Sequence, residues 1–204
     1  MLVGKVILDI SMSLDGFIAG PNDNQKQGLG EGGETLHDWL FSGDIPSKFN
    51  TFFKLSSTNR KMFDEASEST GAMVVGRRTF DLVNGWGGSH PIPGVPVFVV
   101  THSVPEKIME GSTQFTFVTD GISSAIKKAK LAAGTKNVSV GTANVAQQCI
   151  KANLVDEILI HLVPVLLGRG IRLFDHIGTE KIQLEKIKVT EVSDVTHLRY
   201  RILK

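Results

Sequence analysis

Arg77, Arg78 and Thr79 follow Gly76 at the end of the apolar run Met73-Val74-Val75, and Gly141-Thr142-Ala143-Asn144-Val145 follows Val138-Ser139-Val140 in the same way. Each segment passes from a β-type stretch through a glycine into a polar, helix-opening sequence. That order suits phosphate. A glycine admits backbone N–H groups close to an anion, the helix N-terminus adds the positive end of its dipole, and Arg and Thr supply charged and neutral donors. Two such turns in a chain of 204 residues point to a dinucleotide.

Other reactive side chains offer less. The single cysteine, Cys149, shares a helix face with Val145 and Ile150 and reads as a packed thiol. The histidines, His37, His90, His102, His161, His176 and His197, are scattered without metal-ligand spacing, so no metal is expected. His161 reads as a strand residue. Gly28, Gly30 and Gly33 satisfy G-x-G-x-x-G as a bare pattern, but Asn24-Gln25-Lys26-Gln27 before them forms no strand, and that fingerprint works only at a strand-to-helix turn. Asp15-Gly16 is either a turn pair or part of a site. Trp86-Gly87-Gly88 covers a cofactor or closes a loop, and Gly168-Arg169-Gly170 reads as a tight turn.

The elements that position the two turns alternate. Val6 to Met12 forms a first strand that stops at Ser13-Leu14-Asp15-Gly16. Gly20 to Gly33 carries five glycines, Pro21 and hardly a large apolar side chain, so it reads as a mobile loop, either a lid or plain disorder. Thr35 to Phe41 reads as a short helix capped by Thr35, with a second helix over Ser57 to Ser67. Strands at Met73 to Val75, Val97 to Thr101, Phe115 to Val118 and Val138 to Val140 then alternate with helices at Thr79 to Val83, Ile122 to Ala133 and Asn144 to Ala152. This is α/β organisation around a mostly parallel sheet. Glu157 to Leu166 is near-continuously apolar, as a strand covered on both faces should be, with Pro164 at its edge. Ile182 to Val192 and His197 to Leu203 alternate apolar and polar residues, as a terminal antiparallel pair would.

The totals bound the answer. Residues 1–204 read as one domain, and 22 Lys and Arg against 21 Asp and Glu, a net charge of +1, leave no footprint for nucleic acid or an acidic membrane. One cysteine fits a reducing compartment, and no apolar run approaches the ~18 residues of a membrane span. Met1 to Ile7 moves straight into a strand pattern without a cleavable leader, so the chain is expected to be cytoplasmic.

These residues resemble the dihydrofolate reductase-like superfamily, most closely the C-terminal reductase domain of the bifunctional riboflavin-biosynthesis deaminase-reductase. The resemblance rests on Ser13-Leu14-Asp15-Gly16-Phe17-Ile18-Ala19, Gly76-Arg77-Arg78-Thr79-Phe80, Val99-Val100-Thr101-His102, the Gly141 turn, and Leu154-Val155-Asp156-Glu157 leading to Pro164 and Gly168-Arg169-Gly170. It implies NADPH as cofactor. Arg77 takes the position of the arginine that pairs with the adenosine 2′-phosphate, Gly76, Arg78 and Thr79 that of pyrophosphate contacts, and Thr101 and His102 that of the adenosine site. Gly141, Thr142, Ala143, Asn144 and Val145 correspond to the second pyrophosphate turn, and Ile18 and Ala19 to the nicotinamide position. The family's second turn commonly carries two glycines; a positive φ at Thr142 here would strain a β-branched side chain.

The resemblance implies hydride transfer to a pyrimidine- or pterin-type small molecule, and a homodimer. The foremost reading is a 5-amino-6-(5-phosphoribosylamino)uracil reductase. A dihydrofolate reductase and a non-catalytic nucleotide-binding protein of this fold stand as alternatives. The proton for the reduced substrate is assigned to Asp15 or to Asp38 on the helix after the loop.

Overall fold

The computed structural model describes residues 4–204; the first three residues of the N-terminal reading lie outside them. In chain order the strands are β1 Val6–Ser13, β2 Phe17–Ala19, β3 Ile45–Pro46, β4 Lys54–Leu55, β5 Thr70–Gly76, β6 Val97–Val100, β7 Phe115–Val118, β8 Asn137–Val140, β9 Glu157–Val163, β10 Ile171–Arg172, β11 Leu184–Glu191 and β12 Thr196–Ile202. The helices are α1 Ser57–Ser69, α2 Arg77–Leu82, α3 Ile122–Ala133 and α4 Ala143–Lys151, with 3-10 segments at Gly33–Phe41 and Asn84–Gly88.

Eight strands form one sheet in the order β11-β12-β9-β1-β8-β5-β6-β7. All pairings from β9 to β7 are parallel, whereas β9–β12 and β12–β11 are antiparallel. The parallel strands deliver their C-terminal ends to one edge, where loops can build a ligand site. Strand β9 is buried along nearly its whole length and stops at Val163, directly before Pro164.

Period-two alternation in β1 separates two faces. Val6 and Leu8, both fully buried, face a core completed by Val74, Val138, Val140 and Ile160 and by the Ala125/Ile126/Ala129 stripe of α3 and the Val145/Ala146/Cys149 stripe of α4. Those stripes have helical spacing, and Gly134 at φ 61 ends α3. Burial pushes the Cys149 thiol up to about 12, so it has almost no thiolate at neutral pH. Iodoacetamide should leave Cys149 untouched in the native protein and label it at once in denaturant; rapid native labelling, read by mass spectrometry, would show that α4 opens.

The opposite face lies under the Gly33–Phe41 segment and α1. Leu36, Trp39 and Leu40 seat that segment with Leu55, Val163 and Val195. Two local readings change. Thr35 is no N-cap: Gly32 at φ 73 precedes the helix, and the Thr35 hydroxyl donates back to the Gly32 carbonyl. Ser56, by contrast, caps α1 by accepting from the Asn59 N–H at 3.3 Å.

The Gly20–Gly33 stretch is a folded loop rather than a floppy one. Gly20 N–H donates to Leu29 O, Glu31 N–H to Pro21 O and Gly30 N–H to Gln27 O. Its glycines are there because main chain crosses main chain: a Cβ on Gly20 would lie 2.0 Å from the Glu31 carbonyl oxygen, and one on Gly30, at φ +70, would lie 2.4 Å from that of Gly20. Composition alone cannot show such crossings. No helix among the described residues is long and apolar enough to span a membrane.

Candidate functional site

Because β5 and β8 are parallel neighbours, their C-terminal glycine turns emerge side by side. Gly76 N–H donates to the Thr142 hydroxyl at 3.2 Å, so the two corners touch. Thr142 is extended (φ −137, ψ 144), which a β-branched residue adopts freely, and the feared strain is absent. With that hydroxyl engaged by Gly76, no side chain caps α4, and its first-turn N–H groups at Ala143, Asn144 and Val145 have no intrahelical partner. Ala143 and Val145 bury their side chains and can offer a ligand only their backbone, whereas Asn144 is exposed.

The arginines occupy the same edge. Arg77 Nε donates to both Asp81 carboxylate oxygens at 2.8 and 2.9 Å and its Nη1 to Ser103 O at 2.8 Å, holding the guanidinium beside buried Thr101 at the end of β6. Arg78 reaches across to the folded loop, donating through Nε and Nη2 to the Asp23 carboxylate at 2.9 and 2.5 Å. Each partner holds the other charged, lowering the Asp23 carboxyl pKa and raising that of Arg78. Thr79 is half-buried within α2, and His102 is exposed beyond β6. Half-buried Ile18 packs on the α3/α4 core, and Ala19 is buried against the Gly170 crossing.

The two carboxylates expected from the sequence lie in different surroundings. Asp38 lies on the exposed side of its 3-10 helix, whose inward residues are Leu36, Trp39 and Leu40. Asp15 accepts from the Ser13 hydroxyl at 2.6 Å and from the Leu167 and Gly168 N–H groups at 3.1 and 2.7 Å, which pull its carboxyl down to about 2. An acid stabilised this way in its ionised form is an anchor for the Gly168 turn. Trp86 likewise closes a loop, its ring against His90 and parallel to Phe115.

A different polar group lies beneath the 3-10 helix. Asp9 and Ser11 of β1, His161 of β9 and His197 of β12 share one sheet face, which the registers Ser11↔His161 and His197↔His161 bring together. Asp9 Oδ1 lies 2.9 Å from His161 Nε2, His161 Nδ1 lies 2.6 Å from His197 Nδ1, and His197 Nε2 lies 3.0 Å from Asn59 Oδ1 on α1. Trp39 roofs them: its indole N–H donates to the Ser11 hydroxyl at 3.0 Å, and its ring sits 4.6 Å from that of His161. Burial pushes His197 down to about 4. Further along this face Glu157, fully enclosed, accepts from Lys5 and Arg199. A cleft of about 150 Å³ runs between α1 and the sheet, lined by Ile7, Asp9, Met62, Ser139 and Arg199 among others. The sequence carried one signal for this face. A central strand covered on both sides should be apolar throughout, and Asp9, Ser11 and Ser13 alternate through β1 instead. Among the described residues no three His, Cys, Asp or Glu side chains are placed to hold a metal ion.

An eight-stranded sheet with this order, helices on both faces and paired glycine corners on its C-terminal edge define a dihydrofolate reductase-like α/β domain. The chain belongs to the RibD C-terminal domain family, whose model matches residues 4–198. It is 27% identical over 187 residues, 90% of this chain and 91% of the other, to YwjB of Bacillus subtilis, an uncharacterized protein. A protein of Shewanella sp. PV-4, described as a candidate riboflavin biosynthesis protein, superposes with TM-score 0.72 at 25% identity, covering 98% of this chain and 99% of that one. The riboflavin biosynthesis reductase Rib7 of Saccharomyces cerevisiae gives TM-score 0.59 at 15% identity, covering 100% and 91%. Dihydrofolate reductase of Enterococcus faecalis, solved with NADP(H), gives 0.58 at 15%, covering 100% and 99%. At 15% identity the last two show the fold alone.

Proposed function

We propose that this chain is an NADPH-dependent reductase acting on a heterocyclic small molecule, of the 5-amino-6-(5-phosphoribosylamino)uracil reductase type. The observation that carries the reading is the contact between the two glycine corners, which sets an arginine pair and an uncapped helix start around one edge of the sheet. Those donors suit a diphosphate with one further phosphate. The Ala143, Asn144 and Val145 N–H groups and Thr79 would hold the diphosphate, and Arg77, beside Thr101 and His102, the 2′-phosphate. When bound, the nicotinamide supplies a hydride.

The remaining work falls to the chain. The Gly20–Gly33 loop, pinned to α2 by Asp23 and Arg78, shields the site from water. Ile18 and Ala19 on β2 take the nicotinamide position that the family resemblance implies, and the cleft under α1, which Asp9 lines, receives the ring to be reduced. Membership of the family and the Shewanella likeness support the pathway assignment. A homodimer would cover the exposed Leu184, Ile187 and Val189 of the edge strand β11.

The deciding experiment measures NADPH affinity by protein fluorescence and the loss of NADPH absorbance with a ribosylamino-pyrimidine and with dihydropterins. Oxidation with the pyrimidine is the expected result. Turnover restricted to dihydropterins would make the protein a dihydrofolate reductase, and tight binding without turnover on either would make it a nucleotide-binding relative.

A further inference from the structure

We propose that the proton completing the reduction is held between Asp9 and His161, and that His197 and Asn59 keep it there by dictating the tautomer of His161. This rests on the reductase reading above. Asp9 is the catalytic residue, and the two histidines and Asn59 are positioning residues.

Bond directions carry the inference. Asn59 Nδ2 faces acceptors, namely Trp39 O at 3.3 Å, Ser42 Oγ at 2.9 Å and Asp194 Oδ2 at 3.2 Å, so the amide is oriented with Oδ1 toward His197. Ser42 Oγ is free to accept because its own hydrogen goes to Trp39 O. A carbonyl oxygen only accepts, hence His197 Nε2 carries a hydrogen. Burial keeps His197 neutral, and a neutral imidazole has one N–H, so His197 Nδ1 is a bare acceptor. His161 Nδ1, 2.6 Å away, must donate to it. His161 Nε2 is then left opposite Asp9 Oδ1 at 2.9 Å, where a bare nitrogen and a carboxylate would repel. One proton therefore resides in that contact, as imidazolium with carboxylate or as imidazole with carboxylic acid.

The pair also stands in the right place. Leu8 pairs with Val140, which sets Asp9 beside Gly141, and a Cβ built on Gly141 would lie 3.7 Å from the Asp9 carbonyl oxygen. The Asp9 side chain is 23% exposed and lines the cleft, whereas His161 is 8% exposed and sealed under Trp39. The charged and titratable groups around the pair come from each packed element: Glu157 with Arg199 on β9 and β12, Lys188 on β11, Glu65 on α1, His37 on the 3-10 helix and Asp194 before β12. Glu157 is matched by Arg199 and Lys5, so it does not dispel the shared proton.

Such a donor selects the substrate class: a ring or ribosylamine C=N, or a C=O, whose heteroatom is left with an extra electron pair when hydride reaches the carbon. The O–H or N–H bond of the Asp9–His161 pair breaks, a new N–H or O–H bond forms on the substrate, and water at the cleft mouth returns a proton to the pair.

The test begins without any ligand. Nitrogen-15 NMR of histidine-labelled protein should show His197 as the neutral Nε2–H tautomer and His161 carrying a hydrogen on Nδ1 at neutral pH. Asp9→Asn donates its own amide hydrogen to Nε2 and should leave His161 as the neutral Nδ1–H tautomer. A bare Nδ1 on His161, in the wild-type protein or in Asp9→Asn, overturns the proposal. With NADPH and substrate, Asp9→Asn should retain cofactor affinity within about twofold, lose turnover by about 100-fold or more, and lose the alkaline limb of the wild-type pH profile. Asp9→Ser, smaller and also uncharged, should behave alike if Asp9→Asn misfolds. Unchanged turnover in a folded variant sinks the proton assignment while leaving the reductase reading intact. Wild-type protein that neither binds nor oxidises NADPH sinks the reductase reading, whereas the histidine spectra judge the shared proton separately.

Discussion

Lowering the pH from 8 to 5 should cost this protein several kcal/mol of folding stability, seen as a steep fall in the urea midpoint at constant slope. The cause is buried neutral histidine. His90 is 8% exposed and His197 1% exposed, and burial pushes each down to about 4. An unfolded histidine titrates near 6.5. Between those values the unfolded chain takes up protons that the native protein refuses, so falling pH favours unfolding; the stabilisation is complete above about 6.5 and vanishes as pH drops through about 4. Each group contributes about 2 kcal/mol of that loss by pH 5, against a typical total stability of about 5–15 kcal/mol. His37 acts in the same direction: its Nδ1 is enclosed with no hydrogen-bond partner among the described residues, and burial lowers its pKa to about 4. His90→Asn retains an acceptor for the Ile92 N–H and cannot titrate, so the difference in stability between pH 8 and pH 5 should shrink by about one group's share. A urea midpoint flat from pH 8 to 5 would show that these rings are protonated in the native state.

What the chain discloses in one dimension is the part of the structure made by neighbours in sequence. The apolar runs of β5, β8 and β9 and the Ala-rich stripes of α3 and α4 fix their own secondary structure, and the glycine-to-polar transitions at Gly76 and Gly141 mark the corners. The polar face is different. Asp9 meets His161 from 152 positions away and Asn59 meets His197 from 138, and no local pattern announces either pairing. Helix α1 hides its part further, because its inward residues are Asn59, Asp64 and Ser67 rather than an apolar stripe. Asp38 drew attention through its place after the loop, yet the 3-10 helix turns it outward and Trp39 inward. The loop deceived in the opposite sense: its glycines signal freedom in an isolated chain, but here they let Gly20, Gly30 and Glu31 cross at distances no Cβ would allow. Departures of this kind concentrate where a site is assembled, since a site needs polar groups in places that packing alone would fill with apolar ones.

Replacing Arg77 by alanine should weaken NADPH binding by about 10- to 150-fold and leave NADH within about twofold, because a charge-assisted hydrogen bond is worth about 1.5–3 kcal/mol and only NADPH carries the 2′-phosphate. Asp81 occupies Nε and Ser103 O occupies Nη1, which orients the guanidinium along the end of β6; among the described residues Nη2 has no hydrogen-bond partner. The Asp81 contact is an exposed pair four residues apart on a helix, worth only about 0.3–0.5 kcal/mol, so the variant should fold normally and report on binding. Arg77→Lys should recover part of the affinity, since an ammonium keeps the charge but not the planar fork. Asp81→Asn supplies the internal control. It removes the brace without removing the cation, so NADPH affinity should fall less than in Arg77→Ala. Titrations of both cofactors against all three variants decide the matter: parallel losses for NADPH and NADH in Arg77→Ala would mean that this side chain props up α2 and does not discriminate the phosphate. An effect confined to NADPH places the adenosine end of the cofactor at the close of β6, which in turn directs the nicotinamide toward Gly141 and the Asp9 carboxylate beside it.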